Sequence, residues 1–127
     1  MRRAWLALLA GCLPAWAAPN WQVIAEQPEA AISIDTDNVQ PMAGKLGFHE
    51  RHALRAGQTD PGSLRPIREI LEKRLIDCRA RRVATLSRAV FSTDDALIDH
   101  WAVQPQQARW QPLPRDDPRL SLLCRRP

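Results

Sequence analysis

Two cysteines, Cys78 and Cys124, lie behind a segment that reads as an export leader, and this pairing constrains the fold more than any other feature. The chain opens Met1-Arg2-Arg3, runs apolar from Ala4 to Leu13, breaks at Pro14, and then places small residues at Ala15 and Ala17. That is the anatomy of a secretory signal peptide. Cleavage between Ala17 and Ala18 is expected, giving a signal peptide over 1–17 and a single domain over 18–127. The apolar run is well short of the ~20 residues a membrane-spanning helix needs, so no transmembrane span is expected. An exported chain meets oxidising conditions, where two cysteines admit one intramolecular bridge. The competing reading is a pair of buried free thiols.

The leader contains a second signal. Leu9-Ala10-Gly11-Cys12 resembles a lipobox, in which Cys12 would become the lipidated first residue of an envelope-anchored protein. The apolar stretch before Cys12 is short, so soluble export is the preferred expectation. In that case the protein resides in the periplasm or on the outer cell surface. Processing also changes the charge. Losing Arg2 and Arg3 from 18 basic residues leaves 16 against 14 acidic ones, which removes most of the case for a nucleic-acid partner.

Along the rest of the chain, Trp21–Glu26 and Ala30–Asp35 are rich in β-formers and read as strands. Asp35-Thr36-Asp37-Asn38 reads as a turn whose side chains bond nearby backbone. Calcium-loop spacing, with its glycine and distal glutamate, is missing there. Leu46, Phe48 and Leu54 share one parity, as a half-buried strand requires. Residues 56–66 combine Gly, Pro and polar side chains and read as a loop. Residues 67–79 are ambiguous, because Ile67, Ile70, Leu71, Leu75 and Cys78 fall at helical spacing and local pattern favours a helix. Arg82–Ser92 reads as a strand, joined to the preceding segment by a tight turn at 79–81, and 96–101 as another. Pro105, Pro112 and Pro114 rule out a regular central strand around Trp110. Asp116 or Asp117 as cap, with Pro118 at the first helical position, predicts a short C-terminal helix carrying Leu120, Leu122, Leu123 and Cys124.

Catalytic constellations are sparse. There is no Gly-flanked nucleophilic serine, no phosphate-cradling glycine run and no Cys-x-x-Cys pair. Asp94-Asp95 and Asp116-Asp117 suit turns and caps. His49, His52 and His100 supply three imidazoles for a metal, but His49 and His52 point to opposite faces if they lie on a strand. The expectation is a non-enzyme with no cofactor and no resident metal. Arg79, Arg81, Arg82 and Arg88 form the most distinctive polar cluster, suited to an anionic partner or to a solvated hairpin.

Taken in order, several segments resemble the surface-adhesin protein E family of exported bacterial proteins. They are Trp21-Gln-Val-Ile, Ile34-Asp35-Thr36-Asp37-Asn38-Val39, Ile76-Asp77-Cys78, Trp110-Gln-Pro-Leu-Pro and Leu122-Leu123-Cys124. The resemblance implies an α+β fold, mainly an antiparallel sheet of about five to six strands with a short C-terminal helix. It also implies a disulfide between Cys78 and Cys124, and a strand over 69–78. It further implies a binding module that contacts host matrix or serum proteins through a basic segment leading into the first cysteine. Arg68 and Arg74 occupy basic positions of that segment, with Glu69 and Glu72 interleaved. The partner expected is thus a protein or envelope component, and open sheet edges allow a homodimer. The alternatives are a periplasmic accessory subunit and a small histidine-based metal protein.

Overall fold

The computed structural model describes residues 18–125. Residues 1–17, which include Cys12 and the expected leader, and the last two residues fall outside that range, and the exposed Ala18 is its first residue. Eight antiparallel strands and one short helix make up the fold: β1 (Trp21–Glu26), β2 (Ala30–Asp35), β3 (Gln40–Met42), β4 (Lys45–Leu54), β5 (Ile67–Asp77), β6 (Arg82–Ser92), β7 (Leu97–Ala102), β8 (Trp110–Pro112) and α1 (Pro118–Leu123). The sheet runs β1-β2-β4-β5-β6-β7, with β3 also pairing β4 and β8 also pairing β6. β5 therefore lies at the centre, between the two longest neighbours.

The segment with helical spacing is this central strand. Register explains why. Leu46 faces Ile76, Phe48 faces Arg74, Glu50 faces Glu72 and His52 faces Ile70, so apolar and charged residues alternate in blocks along one face. Charges placed on a covered face mimic the polar stripe of a helix. Two three-residue strands, β3 and β8, were beyond the reach of pattern reading; each contains a proline, which a strand tolerates at an edge.

Strand parity divides the sheet into two faces. The inner face carries Ile34, Phe48, Ile76 and Val83, which are buried together with Leu123 of α1. Asp117 caps α1 by accepting from the Arg119 amide at 2.9 Å, and Pro118 occupies the first turn. The helix is only six residues long and has little stability of its own. It is fastened at its far end, where Cys124 is bonded to Cys78 just past β5, with Cα atoms 5.6 Å apart. Cross-linking across 46 residues restrains the unfolded chain by about 4 kcal/mol in the chain-entropy account.

The turns are built by carboxylates. Asp35 accepts from the Asn20 amide, the Asp37 amide and the Asn38 side chain. Burial works against its charge, and those hydrogen bonds hold it below the usual carboxylate range. Asp77 accepts from the Ala80 amide and pairs with Lys45 at 3.1 Å, closing the β5–β6 turn. The 56–66 loop has its own bonding: Asp60 accepts from the amide and hydroxyl of Ser63, and Thr59 bridges to Pro66.

Candidate functional site

Past the apolar patch the inner face turns ionic. Glu50 is fully buried, and it sits directly opposite Glu72 on the neighbouring strand. Two carboxylates in such register repel unless cations intervene. Arg119, from α1, donates to Glu50 Oε1 at 2.6 Å, and Arg74 donates to both oxygens at 3.2 and 3.1 Å. His52 Nε2 lies 2.7 Å from Glu50 Oε2 and 3.3 Å from Glu72 Oε1, so its N–H is shared between the two acids. Burial alone would raise the Glu50 pKa; the His52 and Arg119 hydrogen bonds and the Arg74 charge reverse this and bring it to about 2. Glu50 thus ties β4, β5 and the helix together through one carboxylate.

Glu50, His52 and Glu72 are the group among the described residues that could hold a metal, their ligand atoms lying within 4.8 Å of one another. Glu50 already accepts from three cationic or imidazole donors, so an ion there would have to displace one of them and sit beside two guanidiniums. The three histidines do not converge. His52 is on the inner face, His49 on the opposite one, and His100 is exposed on β7 facing Ala89. Sequence reading overlooked Glu50, although a signal was present, since it shares the parity of Leu46, Phe48 and Leu54 and is the acid on a buried face.

Arg68 and Arg74 take different environments. Arg68 is the extra residue of a bulge between Ile67 and Glu69, and pairs with Glu69 and with Asp95 of the β6–β7 turn. Arg74 has a side chain only 12% exposed and also donates to Thr85 at 3.1 Å. Six residues of strand separate the two by roughly 20 Å, so they form no single cluster.

The arginine cluster is the larger uncompensated charge. Asp77 is the one acid between Lys73 and Thr93 in sequence, and Lys45 and the turn backbone already use it. Arg79, Arg81 and Arg82 have no ion pair among the described residues. Arg82 instead stacks over Trp110 of β8, 5.8 Å from the ring centre. The Arg81 carbonyl accepts from Leu113, which joins the β5–β6 turn to the segment after β8. Beside this end, where β7 stops and β8 begins, an open cleft of about 320 Å³ is lined by residues including Arg74, Thr85, Trp101 and Arg109.

The family model for Surface-adhesin protein E matches residues 21–124, which is nearly all of the described chain. The chain belongs to that family. No curated protein matches it. Membership supports a non-enzymatic, exported binding module, and the expected antiparallel sheet, short C-terminal helix and Cys78–Cys124 disulfide are present. Among the described residues no helix is long and apolar enough to cross a membrane.

Proposed function

We propose that the protein is a bacterial envelope adhesin domain that docks a protein partner against its arginine-rich end, formed by the β5–β6 turn and β8. The observation that carries this reading is the set of unpaired guanidiniums at Arg79, Arg81 and Arg82 beside a sheet margin whose acids are already engaged. Such a surface favours acidic partners and speeds their encounter at low salt. Host matrix or serum proteins are the partner class, following the family resemblance. Arg68, at the opposite end of β5 and paired with Glu69 and Asp95, lies outside this surface, whereas Arg74 supports the surface from within. The leader is removed after Ala17, and the protein reaches the outer surface; lipidation at Cys12 is the alternative route to anchorage.

The test is binding to immobilised matrix and serum proteins over a salt series, combined with protease shaving of intact cells. Saturable binding that weakens with salt and is lost in an Arg79→Ser/Arg81→Asn variant is the expected result. Binding that survives those substitutions overturns the docking surface. Protection from protease on intact cells would favour the periplasmic accessory subunit instead. The metal reading rests on the Glu50, His52 and Glu72 grouping and is tested by metal analysis of untagged protein; a stoichiometric ion lost in His52→Ala would establish it.

A further inference from the structure

The cleft at the break between β7 and β8 has a lining chemistry that the adhesin reading does not use. Its floor is inner-face β-sheet: Arg74 from β5 and Val83 and Thr85 from β6. Its wall comes from the end of β7 and the segment that follows, with Trp101, Arg109 and Gln111 the informative residues. No acid lines it. Arg109 is exposed and has no hydrogen bond or ion pair among the described residues. Arg74 spends Nε on Thr85 and Nη1 on Glu50, which leaves Nη2 with its protons unclaimed. Trp101, 40% exposed, adds an apolar surface beside these donors.

The volume of about 320 Å³ is at the lower end of small-molecule sites, which combine an apolar lining with a few placed polar groups. The lining residues include no carboxylate, so the free fork of Arg109 can take a planar anion bidentately while Arg74, already paired with Glu50, adds the remaining N–H donors of Nη2. The fixed cation is the better half of the arrangement. Arg74 is held in place by Thr85 and Glu50, so a ligand would order only one further side chain, Arg109. The apolar wall selects what the carboxylate is attached to.

We propose that this cleft is a carboxylate-binding site that takes an acid with an aromatic or branched apolar body, its carboxylate between Arg74 and Arg109 and its body against Trp101. The acid is either a free small molecule or the acidic residue of a partner peptide. The site adjoins the arginine-rich end, with which it shares Gln111 of β8, but it uses none of Arg79, Arg81 and Arg82, and a free acid would fill it without any partner protein.

The experiment uses protein expressed from its full sequence, with the Trp101 indole N–H resonance assigned through Trp101→Phe. The probes are 4-phenylbutyrate, its neutral amide, and an end-blocked peptide with one glutamate between two phenylalanines. At least one acid probe should saturate with Kd below about 1 mM and shift the Trp101 resonance, while the neutral amide binds at least about tenfold more weakly. Saturation by phenylbutyrate alone identifies a free acid as the ligand, and saturation by the peptide alone identifies a partner residue. Arg109→Gln should weaken binding about tenfold with an unchanged melting temperature, and Arg109→Lys should recover part of the loss. Equal binding of acid and amide, no effect of Arg109→Gln, or no saturation by either acid overturns the site. Arg109→Gln leaves Arg79 and Arg81 in place, so loss here and loss of partner docking are read separately.

Discussion

The two ends of the inner face are built from the same strands and held by different physics. At the helix-covered end, Ile34, Phe48, Ile76, Val83 and Leu123 exclude water, and a disulfide fixes the lid. One register step further along, Glu50, Glu72, Arg74, His52 and Arg119 replace them with an ionic cluster whose central carboxylate is fully buried. The apolar end gains from every group it buries. The ionic end gains little net energy from being charged, since desolvation offsets most of the attraction, but it suffers heavily if one partner is removed. The ionic cluster therefore fixes how strands and helix align, and the apolar end supplies the stability that makes the alignment affordable.

The sharpest way to break the apolar end is to cut its fastening. Replacing both Cys78 and Cys124 by Ala should cost about 4 kcal/mol, read by urea unfolding against the oxidised protein. The loss should show first as release of α1, because six residues cannot hold a helix unaided.

The ionic end is tested next by Glu50→Gln, which strips Arg74 of its carboxylate partner and leaves Arg119 only Asp117, and should cost about 3 kcal/mol. Removing the helix-borne cation as well, in Glu50→Gln with Arg119→Gln, should recover part of that loss. The same carboxylate makes stability depend on acid. Its pKa is about 2 in the fold against the ordinary 4.5, so the unfolded chain takes up its proton first as pH falls. Its contribution is complete above about 4.5 and is lost as pH falls through about 2. Thermal melts from pH 6 to pH 2 should show this slope in the parent protein and a flatter one in Glu50→Gln.

These two ends also differ in how far the sequence discloses them. The apolar end is written locally: Ile32 and Ile34 alternate, Leu46 and Phe48 share a parity, and Asp117-Pro118 announces the helix start. The ionic end is written at long range. Arg119 is 69 positions from Glu50, and Arg74 is 24 positions away, so nothing near Glu72 or Arg74 indicates that charge on that face is compensated. Local periodicity consequently favours a helix where the central strand lies. The strands β3 and β8 are hidden for a related reason: three residues acquire strand geometry only because β4 and β6 present free backbone to them. The cleft is equally hidden, since it depends on where β7 hands over to β8 along β6.

A smaller effect separates the fastening from the cap. Asp117→Ala removes the acceptor for the Arg119 amide and should cost about 1 kcal/mol in chemical denaturation. It also loosens Arg119, whose guanidinium Asp117 contacts at 3.3 Å, so its effect and that of Glu50→Gln should not add.

The smallest stability effect is expected at the arginine-rich end, and that is what distinguishes a surface kept for contact from one kept for folding. Arg79 makes no ion pair among the described residues, and Arg81 holds a left-handed backbone angle of 52°. Asparagine accepts that conformation more readily than arginine does. The Arg81 carbonyl that receives Leu113 belongs to the backbone and survives any side-chain change. Arg79→Ser with Arg81→Asn should therefore alter unfolding free energy by less than about 0.5 kcal/mol. A loss comparable to that of Asp117→Ala would mean that these guanidiniums cover apolar surface and serve the fold. Unchanged stability together with lost, salt-sensitive partner binding would place recognition on these exposed guanidiniums and folding on the apolar core and disulfide beside them.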